Sequence, residues 1–276
     1  MASPLAKITS ASLALLSLLG PASGRDQADL DLCRLGKDME RIAACTRLLS
    51  EKASSKDFQA TARINRGAGY QQVGDYNNAI LDYDQSIALK PGSAVAYFNR
   101  GLVWQKRHEF DKALTDFGEA IRLNSNFAGA YYNRGEVFRY QRRYVEAVAD
   151  FNDAARIDPG NAAIYASRGY VRAIIGKDLQ RALEDADQAL ELAGPNWITY
   201  DARGFVLLRM KRAGDAIRSY NAAIEMNPNS PSALYGRGIA KQIEGDKTAD
   251  ADISAAKKMQ ASIGDVFAQW GVVPLR

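Results

Sequence analysis

Histidine and cysteine are almost missing from this chain. Across 276 residues there is one histidine, His108, and two cysteines, Cys33 and Cys45. That excludes a zinc site built from several His and Cys, a supported Ser–His–Asp triad and a multi-disulfide scaffold. Proline is also scarce, eight in all, so few positions interrupt a helix. Neither sign of charge dominates: 36 Lys and Arg face 32 Asp and Glu, a net charge of +4. So small an excess, spread along the chain, argues against a nucleic-acid partner. What is present is ordinary for a folded domain, with 47% hydrophobic and 25% charged residues, too apolar for disorder.

The first 24 residues read as a secretory signal peptide: Lys7, an apolar run from Ile8 to Leu19, and a small-residue Ala22-Ser23-Gly24 end. The run is short for a spanning helix, which needs about 20 apolar residues; the alternative is an uncleaved signal anchor. No membrane insertion is expected after cleavage. Export would place the remainder in an oxidising compartment, where a disulfide persists. Cys33 and Cys45 flank a Gly36-Lys37-Asp38 turn and are expected to bridge the arms of a helical hairpin. The alternative is a pair of small buried thiols.

A period of 34 organises the rest of the chain. Asn-Arg-Gly recurs at 65–67, 99–101 and 133–135, and continues as Ser167-Arg168-Gly169, Ala202-Arg203-Gly204 and Gly236-Arg237-Gly238. Alanines come next at 79, 113, 147, 182 and 216, then Tyr83, Phe117, Phe151, Ala186 and Tyr220 four residues on. With the glycine at position 8, the units are 60–93, 94–127, 128–161, 162–196, 197–230 and 231–263. Each unit reads as two helices, with the glycine and alanine where they approach closely and the aromatics filling the space around them. Residues 25–59 echo a unit weakly and are expected to form an N-terminal helical cap. Residues 264–276, with Phe267 and Trp270, are expected to cap the last helix pair.

These phrases, Ala-Tyr-Phe-Asn-Arg-Gly at 96–101 and Ala-Ile-Leu-Asp-Tyr-Asp-Gln-Ser-Ile at 79–87 above all, resemble the tetratricopeptide-repeat family. The resemblance implies an all-α fold, a right-handed α-solenoid of stacked helix-turn-helix units whose first helices line a concave groove. It implies binding without catalysis, with a protein or peptide as partner and no cofactor or metal. Exported proteins of this kind resemble ones widespread in bacteria, which makes the periplasm, or secretion, the expected destination. An alternative is a structural part of a cell-envelope assembly that docks through its outer face or ends. The family's carboxylate clamp for chaperone tails needs Lys at position 5 and Asn at position 9. Position 5 here holds Ile64, Phe98, Tyr132, Ala166, Asp201 and Tyr235, and position 9 holds Ala68, Leu102, Glu136, Tyr170, Phe205 and Ile239, so no clamp is expected.

Two residue series remain. Position 7 is always arginine: Arg66, Arg100, Arg134, Arg168, Arg203 and Arg237. Unpaired, they would form an anion stripe. The second helices, however, carry Asp82, Asp116, Asp150, Asp185 and Asp252, with Ser219 in the fifth unit. Ion pairs within or between units are therefore expected, since a guanidinium can bond a carboxylate at two points. Position 6 is Asn65, Asn99 and Asn133 in the first three units. An amide can both donate to and accept from the backbone of an extended peptide, an arrangement similar to asparagine ladders known in this family. Phe98, Tyr132, Tyr140, Gln71, Gln105 and Arg139 are the expected neighbours in such a groove. The alternative is that these amides merely satisfy nearby backbone or solvent. His108, beside Arg107 and Glu109, is expected to be an exposed turn residue, and no catalytic group is expected.

Overall fold

The computed structural model describes residues 24–50 and 55–274, apart from the side chains of residues 24–26. The expected signal segment, up to residue 23, lies outside the described residues. The described elements are helices: α1 (Gly24–Leu35), α2 (Asp38–Ser50), α3 (Lys56–Gln72), α4 (Tyr76–Leu89), α5 (Ala94–Lys106), α6 (Phe110–Leu123), α7 (Ala128–Tyr140), α8 (Tyr144–Ile157), α9 (Ala162–Ile175), α10 (Leu179–Ala193), α11 (Trp197–Arg209), α12 (Ala213–Met226), α13 (Pro231–Ile243), α14 (Ala249–Met259) and α15 (Ile263–Gln269). None among the described residues is long and apolar enough to cross a membrane. The chain divides into two compact units between Val137 and Phe138, inside α7.

Capping residues set where the first helices begin. Ser93, Asn161, Asn196 and Ser230 each accept a hydrogen bond from a backbone N–H in the first helical turn, satisfying donors that have no partner inside the helix. The turn into each second helix also has a fixed conformation. Position 15 adopts positive φ in every unit, at Gly74, His108, Arg142, Gly176, Lys211 and Gly245. Glycine does this without steric cost, and the other three units spend some strain on it. His108 is therefore an exposed residue of this turn.

Position 8 fixes the helix spacing. A Cβ at Gly67 would stand 2.7 Å from the Tyr83 ring, and at Gly101 2.8 Å from Phe117. In the fourth unit the aromatic is replaced by Ala186, and the helices close up until a Cβ at Gly169 would meet the Ala182 carbonyl oxygen at 2.8 Å. The small residue thus sets a close approach, and the opposing side chain sets how close.

In the first compact unit the core is carried in layers: Ile64, Tyr83 and Val103, then Phe98, Phe117 and Val137. The second has one continuous cluster from Ala173 to Val272. The N-terminal hairpin α1–α2 carries a small cluster of its own around Leu30, Ala44 and Leu48. Cys33 and Cys45 close it with a disulfide, Cα–Cα 4.8 Å. Bridging residues 12 apart removes loop-closure entropy worth about 3 kcal/mol. Reduction is therefore expected to melt this hairpin before the repeats, seen as early loss of amide protection in residues 27–50.

Candidate partner-binding face

The position-7 arginines occupy the seam between units. Arg100 donates from Nε and Nη2 to Asp116 at 2.8 and 2.7 Å, and from Nη1 to Asp84 of the preceding unit at 2.5 Å. Arg66 grips Asp82 at 2.8 Å through two nitrogens and reaches Thr46 of the N-terminal hairpin. Arg168 bonds Asp185 and Asn152, and Arg237 bonds Asp252 and Asn221. Arg203 keeps the pattern without the aspartate, donating to Ser219 and to Asp187 of the preceding unit. Arg134 lies over the Tyr131 ring, 5.8 Å from its centroid. Further cations join the carboxylates: Arg172 at Asp185, 2.6 Å, and Lys241 at Asp252, 2.9 Å. Burial pushes the Asp252 carboxyl up, but the bonds from Arg237 and Lys241 outweigh it and hold it below the usual carboxylate range. With their forks committed to carboxylates, amides and, at Arg203, a hydroxyl, Arg66, Arg100, Arg168, Arg203 and Arg237 do not form an open anion stripe.

The groove residues expected from sequence fall into different environments. Asn65 and Asn99 are half-buried, and neither side chain has a hydrogen bond among the described residues. Asn65 borders a small cleft with Leu30, Cys33, Leu48 and Phe58, so the N-terminal hairpin reaches the first rung. Asn133 donates one amide hydrogen to the Gly129 carbonyl at 2.7 Å, which holds the amide against its own helix and leaves its carbonyl. Gln105 is half-buried. Gln71 accepts from the Tyr83 hydroxyl at 3.1 Å, so it serves the contact between α3 and α4. Phe98 belongs to the core: it is 3% exposed, packed on Phe127 and Phe117 at 4.6 and 5.8 Å between centroids. The expected apolar groove contact at Phe98 is thereby corrected: its ring is drawn against Gly129, Ala130 and Val137 of the next unit. Tyr132 is half-buried. Tyr140 is exposed, with the Arg139 guanidinium 4.8 Å from its ring centroid.

The asparagine series gives way to Ser167, Ala202 and Gly236. In the sixth unit the reason is steric: the Tyr220 ring and hydroxyl occupy the space that a side chain at Gly236 would take. In the fifth, Ala202 is buried.

In the second compact unit the inner positions are already covered. Residues after α14 turn back over the first helices α9, α11 and α13. Phe267 packs on Phe205 at 5.9 Å and Tyr235 at 5.0 Å between centroids; Trp270 packs on Tyr170 at 5.3 Å and Phe205 at 5.5 Å. Arg209 donates from Nη1 to the Trp270 carbonyl at 2.6 Å and from Nε to the Ala173 carbonyl at 3.0 Å. Positions 5 and 9, read from sequence as lacking the clamp residues, here carry the aromatics that receive this segment. The expected cap on the last helix pair is thus a longer strap across three units.

Beside this face lies a buried carboxyl. Asp201 accepts from the Ser232 hydroxyl, while its Oδ1 and the Tyr220 hydroxyl are cut off from solvent without a partner among the described residues. Burial pushes the Asp201 carboxyl up to about 6, against the lowering effect of the Ser232 bond. A raised folded value favours the protonated form, so this stabilisation is complete below about pH 4 and is lost as pH rises through about 6. Comparing wild type with Asp201→Asn should show it: the variant is expected to gain on wild type by up to about 3 kcal/mol between pH 4 and 7. Parallel denaturation curves at both pH values would contradict that.

The tetratricopeptide-repeat profile matches residues 105–162 and 202–253. Among curated proteins, the chain is 32% identical over 90 residues to an Arabidopsis thaliana TPR repeat-containing thioredoxin, covering 32% of this chain and 24% of that protein. It spans about a quarter of the length of the curated relatives it matches. Among solved structures, Pseudomonas aeruginosa PilF is similar with a TM-score of 0.64 at 21% identity, covering 75% of this chain and 95% of that one. YrrB, a TPR protein with an unusual peptide-binding site, is similar with a TM-score of 0.53 at 23% identity, covering 65% and 92%.

Proposed function

Given that the chain belongs to the tetratricopeptide-repeat family, and is on that ground a protein–protein interaction module, we propose that it binds an extended peptide or partner protein along its first helices and catalyses nothing. One observation carries this reading: the first helices α9, α11 and α13 already hold a peptide, the chain's own C-terminal segment, by aromatic contacts and an arginine on its backbone. In the first compact unit the half-buried amides of Asn65 and Asn99, together with the Asn133 carbonyl, offer backbone-directed hydrogen bonds that the fold leaves unused. The alternative, docking by the outer face or ends, draws on two groups of exposed apolar residues. Leu81, Val145, Leu192, Met226 and Met259 stand one to a second helix and need no partner to explain them. Leu32, Leu35 and Met39 belong to the N-terminal hairpin, the end at which such docking would occur.

The location belongs to the same proposal. The expected signal segment at residues 1–24 and the Cys33–Cys45 disulfide both suit a periplasmic or secreted protein. Partner capture is therefore to be done in the native envelope, by cross-linking and mass spectrometry. Replacing Asn65, Asn99 and Asn133 together by alanine should then weaken binding of the captured partner about tenfold or more, at about 0.5–1.5 kcal/mol per hydrogen bond, with helicity unchanged. Equal affinity in that variant would remove the amides from the account.

A further inference from the structure

We propose that the inner face of α9, α11 and α13 is a docking site for a short peptide of the form Phe-x-x-Trp, and that residues 263–274 are its tethered occupant, displaced when a partner protein supplies the same two aromatics. This rests on the reading that first helices take peptides, and adds which peptide and how the site is kept closed.

A cap that only finished the solenoid would touch the last unit alone. This segment instead reaches Tyr235 of the sixth unit, Phe205 of the fifth and Tyr170 of the fourth. Those three side chains occupy positions 5 and 9, the register from which the first helices address a ligand. Recognition has two parts. The Phe267 and Trp270 rings, three residues apart, enter the aromatic row formed by Tyr170, Phe205 and Tyr235. Arg209, held against the Ala173 carbonyl, takes the Trp270 carbonyl, a contact any peptide backbone can make. The side chains select the peptide and the arginine fixes its register.

The occupant is weakly built. Helix α15 has seven residues, too few to hold a helix in water unaided, so its order comes from the face it lies on. Only Ile263, Phe267 and Val272 of the segment are buried, while Asp265, Ala268, Gln269 and Val273 are exposed. A short turn, Gln260–Ser262, joins it to α14 and gives the segment a joint to swing on. Such a tether supplies the segment at an effective concentration on the order of millimolar, enough to fill the site while a competing partner can still open it.

The test uses the full chain and a fluorescein-labelled synthetic peptide with the sequence of residues 261–274. Binding by anisotropy is expected to be about tenfold or more tighter in the Phe267→Ala/Trp270→Ala variant than in wild type, because the variant loses its tethered competitor. Adding Tyr170→Ala to that variant should abolish the gain. Equal, weak binding in wild type and variant, with the variant folded by circular dichroism, would overturn the proposal. If the variant does not fold, hydrogen exchange on wild type decides: residues 263–274 should exchange through an opening that leaves α13 protected, and exchange in concert with α13 would make the segment an integral cap. A concentration-dependent dimer that Trp270→Ala abolishes would assign the face to a second copy, and the proposal would fall. The asparagine reading is separate, since the Asn65, Asn99 and Asn133 variant is expected to leave this peptide's binding unchanged.

Discussion

Arg100→Ala should destabilise the protein by about 3 kcal/mol and leave it without any new or lost affinity for polyanions. The guanidinium holds Asp116, 3% exposed, through two bonds and reaches Asp84 with its third nitrogen. Removing it strands a buried carboxylate, a loss typically of about 3–5 kcal/mol; the partial exposure of Arg100 places the expectation at the lower end. The double variant Arg100→Ala/Asp116→Ala should recover part of the loss, because neither charge is then left alone. Urea unfolding of the three variants measures this. A stable Arg100→Ala that loses heparin binding would instead make the arginine an anion ligand.

An equal or larger loss, about 3–5 kcal/mol, is expected for Phe117→Ala. This ring is wholly buried between Gly101 and Phe98, and its removal leaves a cavity that helices spaced for an aromatic fill only in part. The fourth unit shows what full relaxation requires. With Ala186 in the ring's place, the glycine approaches the facing backbone itself. Thermal or urea unfolding that finds Phe117→Ala within about 1 kcal/mol of wild type would show that the helices close up as readily here.

Whatever repeats with the 34-residue period was legible in the sequence; whatever depends on a single departure from it was not. Gly67, Gly101 and Gly204 face aromatic rings because these units solve the same close approach with the same residue types, so alignment of the units exposes it. The arginine–aspartate pairs were legible for the same reason. Their bond to the preceding unit goes to Asp84, Asn152, Asp187 or Asn221, in each case 16 residues before the arginine. This Asp/Asn position is periodic too, broken among the first five units only by Gly118, and alignment of the units exposes it once the arginine is known to reach back. Phe98 misled because position 5 is inward in one unit and core in another, according to the size of its neighbours. The return of residues 263–274 over three units had no counterpart in the repeat. Phe267 and Trp270 announced an apolar segment, but the direction it takes is set by the Tyr170 and Phe205 rings and by Arg209. At His108, Arg142 and Lys211 the period places the turn, but nothing in those residue types marks the left-handed conformation that Gly74 marks plainly.

The central claim, that partners are taken along the first helices, is tested most directly by site-specific photo-cross-linking in the native envelope. A photo-reactive phenylalanine analogue replaces Leu102, which shares position 9 with Tyr170 and Phe205, or Leu81, exposed on the second helix α4. Adducts to a partner from position 102 and none from position 81 are the expected result. Adducts from position 81 alone would place the partner on the outer face and contradict the account.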